Sequence, residues 1–378
     1  MKVGLLGFGT VGIGVDEITE NRKDISVVSV LTRTVKEGIG DRMVSSIDDI
    51  VNNPEIDTVV EVMGGIEPAH EYAVKALKAG KNFVTANKAL VAAHYKELVT
   101  LANENHVSFR CTASAGGGIP WLYNLERVKR VDNVSKVGGI MNGTTNYIMT
   151  KMNNENADFD ETLKKAQELG YAEADPSADI DGYDIRRKLN ISANVAFDSL
   201  IAEEDIPCFG IRNVTAIDIA NGKQNDMFIK LIATAEENDG AVACFVEPTF
   251  ISKTDLLAGV EDTFNLVFYT GNNCGTQSFV GRGAGRFPTA YNVVQDLVDI
   301  ECNKPSFYTS KMKEQKVDNT KVVHPYYVRT TMPDGFLQKN TEKSFGTYVV
   351  TRPISVKEMH EWAKEQLKVD PKLFICAM

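Results

Sequence analysis

Cysteine is scarce and scattered: six residues, at 111, 208, 244, 274, 302 and 376, with no pair at CxxC spacing and no histidine cluster beside them. That pattern argues against a disulfide framework and a Cys/His zinc site, and leaves reduced thiols as the expectation. Basic residues are outnumbered, 41 Lys and Arg against 51 Asp and Glu, for a net charge of −10. Nucleic acid and anionic membranes are recognised by clustered cations, and the run Arg127, Lys129, Arg130 is too short to supply one. No apolar stretch reaches the ~20 residues of a membrane span. The N-terminal MKVGLLGFGTVG begins like a signal peptide, but glycines interrupt it and no cleavage-like end follows. A cytoplasmic protein is expected, with neither a nucleic-acid nor a membrane partner. Internal repeats and low-complexity tracts are also missing.

What is present is ordinary globular composition, 43% hydrophobic and 24% charged, over 378 residues. That length predicts two or three domains. The first 115 residues alternate strand and helix patterns. Strands are predicted at Lys2–Leu6, Ile25–Leu31, Asp57–Val62, Phe83–Thr85 and Val107–Cys111, and helices over 11–21, 67–79 and 88–104. Such alternation predicts a doubly wound parallel sheet of α/β class. Past residue 133 the pattern shifts: a strand at Val134–Met141, a helix begun by Asp158 and Glu161, and β-rich stretches at 210–218, 240–252 and 263–270. A helix over Tyr291–Ile300 and a polar linker over 303–322 follow. Strands at Tyr326–Arg329, Tyr348–Thr351 and Leu373–Cys376 flank a last helix over 355–367.

Gly7-Phe8-Gly9-Thr10-Val11-Gly12 is a G-x-G-x-x-G run between the first strand and the first helix. In that setting Gly7 permits the turn, Gly9 lets a pyrophosphate approach the backbone, and Gly12 lets helix pack on strand. The helix N-terminus then offers N–H groups and a positive dipole end. A Rossmann-type dinucleotide site is predicted. The second strand ends Leu31-Thr32-Arg33-Thr34, with Lys36 close by, where NAD enzymes usually place an acid for the ribose 2′-hydroxyl. A guanidinium suits a 2′-phosphate, so NADP(H) is favoured, with NAD(H) also accepted.

The run YAEADPSADIDGYDIRRK at 171–188 gathers Glu173, Asp175, Asp179, Asp181 and Asp184 and ends in Lys188. On a helix Asp184 and Lys188 stand at i and i+4, on one face. They form either a proton-handling pair facing a cleft or one salt bridge on a solvated helix face.

Seven segments in order name a family: GFGTVG (7–12), VVEVMGG (59–65), VTANKALV (84–91), ASAGGGIP (113–120), GIMNGTTNYI (139–148), GYAEADPSADIDGYDIRRKL (170–189) and GRGAGRFPTA (281–290). On these the chain resembles homoserine dehydrogenase up to about residue 300. The resemblance implies reversible NAD(P)H-dependent reduction of L-aspartate 4-semialdehyde to L-homoserine, on the route to threonine, methionine and isoleucine, by a homodimer. It implies a dinucleotide-binding domain over 1–132 plus about 286–305, an inserted α+β catalytic and dimerisation domain over 133–285, and a truncated ACT-like tail over 322–378. A form with no kinase module ahead of residue 1 is expected.

The resemblance also assigns roles. Lys188, ending a DxxxK pattern, would donate the proton as hydride arrives, with Asp184 orienting it. Lys88, from the NKA run, would neutralise developing alkoxide, depress the Lys188 pKa by like-charge repulsion and touch the cofactor. Glu173, with Asp179 a further candidate, would accept the substrate ammonium. Gly143, Thr144 and Tyr171 would meet its carboxylate. Met63, Gly64, Thr85, Ser114 and Gly283 would join the glycine turn and Arg33 around the cofactor. Family members often hold a sodium or similar monovalent ion through carbonyls that match Ala115, Gly117 and Ile119, usually with a glutamate three residues before the first of these. Thr112 stands there, so a metal-free structural loop is the alternative.

In the tail, YYVRTTMPDGF and GTYVVTRPISVKEMHEWAKEQL…LFICAM fit the outer parts of a βαββαβ module. The middle helix and strand look missing or compressed, so a structural or dimerising remnant is expected rather than a threonine-binding module. Two competing functions fit the residues less well. An aspartate-semialdehyde dehydrogenase needs a nucleophilic cysteine, and Cys111 and Cys274 lack a neighbouring histidine motif. A non-catalytic NAD(P)-binding redox sensor has no use for Lys88, Glu173, Asp184 and Lys188 together.

Overall fold

The short apolar runs at the N-terminus form a six-stranded sheet in the order β3-β2-β1-β4-β5-β6. Its strands are β1 (Lys2–Leu6), β2 (Ser26–Leu31), β3 (Met43–Val44), β4 (Thr58–Glu61), β5 (Asn82–Thr85) and β6 (Phe109–Arg110), and all neighbours are parallel. Helices α1 (Thr10–Glu20), α2 (Ile47–Val51), α3 (Ala69–Lys78) and α4 (Lys88–Glu104) alternate with them, and α5 (Trp121–Val128) follows. The computed structural model describes residues 1–34, 36–238, 240–304, 308 and 312–378. Val3, Leu5, Leu6, Val59 and Val60 are wholly buried, as expected of parallel strands covered on both faces. The order reverses between β1 and β4, the place where such sheets open a ligand crevice beyond the strand C-termini.

Two units divide the chain. The first comprises Met1–Val131, Asn194–Leu200 and Gly281–Glu314; the second comprises Asp132–Ala193, Ile201–Val280 and Gln315–Met378. The second contains β7 (Val134–Ile140), α6 (Gly143–Glu155), α7 (Phe159–Glu168), α8 (Ser177–Ile180) and most of α9 (Tyr183–Phe197). After β8 (Ser199–Leu200) come α10 (Ala216–Gln224), β9 (Met227–Asn238), β10 (Ala241–Ser252), β11 (Phe264–Gly271) and β12 (Gly275–Arg282). β9 and β10, rich in β-branched and aromatic residues, pair antiparallel along their full length. Asp158 caps α7 by accepting from Asp160 N and Glu161 N.

The expected β-rich stretch at 210–218 is instead a turn running into α10. Thr215 and Asp218 form a capping box there, a helix-start signal that outweighs the β-branched residues around it. Gly210 lies against the backbone of Ile180 and Asp181, so close that a Cβ would meet the Ile180 oxygen at 2.1 Å.

The chain returns to the first unit in α11 (Arg286–Glu301). Ala290, Val293, Val294 and Leu297 complete the core made by Val3, Leu5, Val27, Val30, Val60 and Val84, each such side chain contributing ~1.5–3 kcal/mol on burial. Arg286 pairs with Glu17 of α1, which gives that arginine its structural role. Beyond α11, part of the expected linker, residues 305–307 and 309–311, lies outside the described residues. Tyr308 is buried against Tyr95 and Phe109, and β13 (Lys313–Glu314) pairs with β8, so the described parts of 303–314 are built into the first unit.

In the tail, of the two expectations for the middle helix and strand, missing or compressed, the second holds. After β14 (Val323–His324) come β15 (Tyr326–Arg329), α12 (Gly335–Asn340), β16 (Thr341–Ser344), β17 (Val349–Thr351), β18 (Ile354–Ser355), α13 (Val356–Gln366) and β19 (Phe374–Ala377). The middle helix and strand are therefore present, in compressed form. Six residues of helix and a polar TEKS edge strand carry too little apolar periodicity to register in sequence. Nor is the tail a separate layer. Its strands, in the order β19-β15-β17-β16, extend one nine-stranded sheet whose other half is β12-β11-β7-β9-β10, joined where Thr249 pairs with Ala377. Beside this join Glu247 of β10, 1% exposed, meets His324 Nε2 at 3.0 Å, His360 Nε2 at 2.9 Å and the Tyr326 hydroxyl at 2.9 Å. Burial opposes its ionisation, but the two histidines overcome that and hold the carboxyl at about 2.

Candidate active site

The nucleotide end is made almost entirely of backbone. Gly9 caps α1 without any side-chain hydrogen bond, so the first-turn N–H groups face outward, as an anion requires. A Cβ on Gly9 would meet nothing within 4 Å, whereas one on Gly12 would strike the Gly7 oxygen at 2.2 Å. Gly7 holds φ +97° and lies against Met63, which joins the glycine turn to the loop after β4. The open side of Gly9 is the space a pyrophosphate would fill. Arg33 is exposed two residues past β2. Lys36, in contrast, folds back so that Nζ donates to the Phe8 carbonyl at 2.7 Å, placing an ammonium on the turn itself.

Behind the Met63–Gly65 loop stands a residue the sequence did not flag. Glu61, wholly buried at the end of β4, accepts from Met63 N at 2.7 Å, Gly64 N at 3.3 Å and the Thr85 hydroxyl at 2.6 Å. Burial raises its pKa against the pull of these bonds. The Thr85 hydroxyl also accepts from Asn87 N, so it serves internal order. Asn87 donates to the Gly65 carbonyl at 2.6 Å and caps α4 through Leu90 N at 3.2 Å. Lys88 is the first residue of that helix.

The loop 112–119 is buried and tightly bonded. Ser114 donates to the Cys111 carbonyl, and Gly117 lies so close to Gly283 that a Cβ would sit 2.3 Å from its carbonyl. Of the three carbonyls matched to a cation site, those of Gly117 and Ile119 accept from the Asn292 amide at 2.5 and 3.0 Å. Thr112 donates through N and hydroxyl to Asp296.

In the second unit, Lys188 Nζ donates to Asp184 Oδ2 at 2.7 Å and to the Met141 carbonyl at 2.7 Å. Both side chains are buried, at 8% and 5% exposure. This is therefore not a solvated salt bridge on a helix face. Asn142 completes the group. Its Nδ2 bonds Asp184 at 2.9 Å and Asp179 at 2.7 Å, while its Oδ1 caps α6 through Thr145 N. Asn142 was overlooked in the sequence, though an Asn ahead of Gly-Thr-Thr at a strand end is an N-cap signal. Gly143 and Thr144 open α6, and the Thr144 hydroxyl donates to the Tyr171 carbonyl at 2.6 Å. Tyr171 and Glu173 are exposed. Asp181 pairs with Arg212 and Asp175 closes a turn onto Ser177 N, which spends both outside the Lys188 group.

Among the described residues one further group brings three ligand-type atoms within 4.8 Å: His70, His94 and Glu97. The two rings are stacked at 3.7 Å and 10°, so their in-plane lone pairs run side by side instead of converging on one ion. Glu97 Oε2 already spans both rings and Glu67 holds the far nitrogen of His70. Burial disfavours the charged His70 ring, and the two carboxylates overcome it and raise its pKa. The cluster is a carboxylate-neutralised histidine pair. Neither cysteine suited to thioester chemistry is poised for it: burial pushes the Cys111 thiol far up, and desolvation followed by Asp132 raises that of Cys274.

Comparison with known proteins agrees with this layout. Residues 7–112 match the model of the homoserine dehydrogenase NAD-binding domain, and 120–298 match that of homoserine dehydrogenase itself. A homoserine dehydrogenase of Synechocystis sp. is 42% identical over 316 residues, 79% of this chain and 73% of that protein. The crystal structure of a homoserine dehydrogenase from Thiobacillus denitrificans superposes with TM-score 0.88 at 30% identity, covering 100% of this chain and 97% of that one. A hyperthermophilic archaeal homoserine dehydrogenase solved in complex with NADPH gives TM-score 0.69 at 27% identity, covering 81% and 99%. With its glycine turn, its Glu61-braced loop and its buried Lys188 group, the chain belongs to the homoserine dehydrogenase family.

Proposed function

We propose that the protein catalyses the reversible NAD(P)H-dependent reduction of L-aspartate 4-semialdehyde to L-homoserine. The observation that carries this is the buried Lys188 ammonium, held by Asp184 and the Met141 carbonyl in a chain of this family. The cofactor, when bound, supplies the hydride. The chain's own groups do the rest. α1 and the glycine turn hold the pyrophosphate, Lys36 and Arg33 supply charge for a 2′-phosphate, and the Met63–Gly65 loop, fixed by Glu61, closes the same crevice. Lys188 gives its Nζ proton to the aldehyde oxygen as negative charge builds there, and in the reverse direction takes the hydroxyl proton. Asp184 is a positioning residue: it balances the ammonium charge and, with Asn142, fixes its direction. Lys88 adds a second ammonium for the developing oxyanion.

Substrate recognition divides by charge. Glu173 and Asp179 accept the substrate ammonium, and the α6 N-terminus at Gly143 and Thr144, with Tyr171, receives its carboxylate. NADP(H) is preferred over NAD(H): Lys36 and Arg33 put two cations near the end of β2, and a homologue binds NADPH. The protein acts as a homodimer in the cytoplasm. No described helix is long and apolar enough to cross a membrane. The tail is an ACT-like module in its element order, with a structural role.

The assay is direct. Purified protein given L-aspartate 4-semialdehyde should consume NADPH faster than NADH, and absence of turnover with either nicotinamide refutes the proposal. Sedimentation tests the dimer.

A further inference from the structure

We propose that the carbonyl-lined turn at residues 115–119 takes no cation, and that the side-chain amide of Asn292 occupies the position an ion would hold. Asn292 lies on α11, 1% exposed, and its Nδ2 reaches the carbonyls of Gly117 and Ile119 at 2.5 and 3.0 Å. An amide NH2 carries two protons and partial positive charge, one proton for each oxygen. The opposite orientation would set oxygen against two oxygens, so the bonding fixes the assignment. The turn is shaped to present these carbonyls by Gly116 and Gly117, at φ +92° and +57°. Ile119 O also accepts from Trp121 N at 2.7 Å. Both of its lone-pair directions are therefore in use, and none is left for a metal.

The charge that would hold a cation is missing as well. Thr112 stands where the resemblance calls for a glutamate. The carboxyl nearest along α11, Asp296, is one turn past Asn292 and on the same face. Both its oxygens are engaged by Thr112, at 2.7 and 3.0 Å. Burial pushes its pKa up to about 7, against the opposing pull of Thr112 and Arg110, so it is only partly ionised at neutral pH. Arg110, 2% exposed, already brings a cation close to Asp299 and Asp296. A neutral donor satisfies the two carbonyls without desolvating an ion. Thr112 and Asn292 thus act as a matched pair: one withdraws the charged ligand, the other fills the vacated place.

The test reads stability and ion binding, so it stands whether or not the activity proposed above is correct. The Tm of the full chain is measured in sodium, potassium and choline chloride at equal ionic strength, with 23Na relaxation recorded in parallel. The parent should show the same Tm in all three salts and no protein-dependent sodium broadening. A sodium-specific rise in Tm overturns the proposal. Asn292→Ala should lower Tm by several degrees in every salt, because two buried carbonyls lose their donor; a variant as stable as the parent overturns it. Thr112→Glu combined with Asn292→Ala should regain Tm in sodium but not in choline, and equal behaviour in the two salts overturns the claim that the amide sits in an ion's place. Should the variants fail to fold, the parent's salt series still decides the matter.

Discussion

The glycine turn and the Lys188 group are built by opposite means. At the turn, the groups proposed to bind are backbone N–H groups and an uncapped helix end, and the side chains matter mainly by being absent. A Cβ on Gly9 has free space while one on Gly12 does not. Around Lys188 the groups are mainly side chains. A lysine, two aspartates and an asparagine share hydrogen bonds in the second unit, together with the Met141 carbonyl. A backbone site tolerates most neighbours and fails only when a side chain intrudes. A network of buried polar groups fails when any member is removed, because its partners are left unsatisfied.

The sharpest way to break the comparison is Lys188→Ala. It should lower kcat by at least ~10³-fold, within the range for loss of a positioned proton donor, while NADPH affinity measured by fluorescence stays the same. If affinity falls along with kcat, the residue is structural rather than catalytic. Gly9→Val asks the converse question. A Cβ there meets nothing within 4 Å in the free protein, so stability should fall by no more than ~1 kcal/mol, while NADPH binding by calorimetry is lost. Unchanged binding would show that the pyrophosphate does not approach Gly9.

A smaller effect separates the two cations after β2. Lys36→Ala and Arg33→Ala should each weaken NADPH by ~10-fold and NADH hardly at all, in keeping with one charge-assisted phosphate contact of about 1.5 kcal/mol. Equal losses for both cofactors would remove the 2′-phosphate from that place. The mildest test concerns Lys230, buried on β9 and bonded to Asn146 Oδ1 and the Val260 carbonyl. Burial depresses its pKa from 10.5 to about 8. Between those two values the unfolded chain holds a proton that the folded one has released, so stability should rise with pH across this window. The contribution is about 3 kcal/mol at most, read as the difference between parent and Lys230→Met unfolding curves from pH 7 to 10.5. A flat difference curve would mean that Lys230 titrates normally.

The contrast also explains what could be read from the sequence. The glycine turn is contiguous, and its strand-turn-helix setting is a short-range pattern. β1 and α4 run over Lys2–Leu6 and Lys88–Glu104 as the apolar periodicity predicts. Asp184 and Lys188 were legible because one helix carries both. Glu61 and Asn142 were not, since their partners lie far along the chain, Thr85 and Asn87 for one and Asp179 and Asp184 for the other. Asn292 is a neutral residue on an amphipathic helix, and only its approach to a turn 173 residues away gives it meaning. The tail's polar edge strand becomes visible through pairing with β17, where register rather than composition defines it.

Glu247 turns the last sixty residues from an appendage into a keystone. A chain cut before His324 would leave an ionised carboxylate in the middle of a hydrophobic sheet with its three donors gone, an uncompensated charge that typically costs 3–5 kcal/mol. Proteolytic trimming or premature termination there would therefore be felt across the unit that Glu247 and the tail share, and a chain that keeps all three donors must extend past His360.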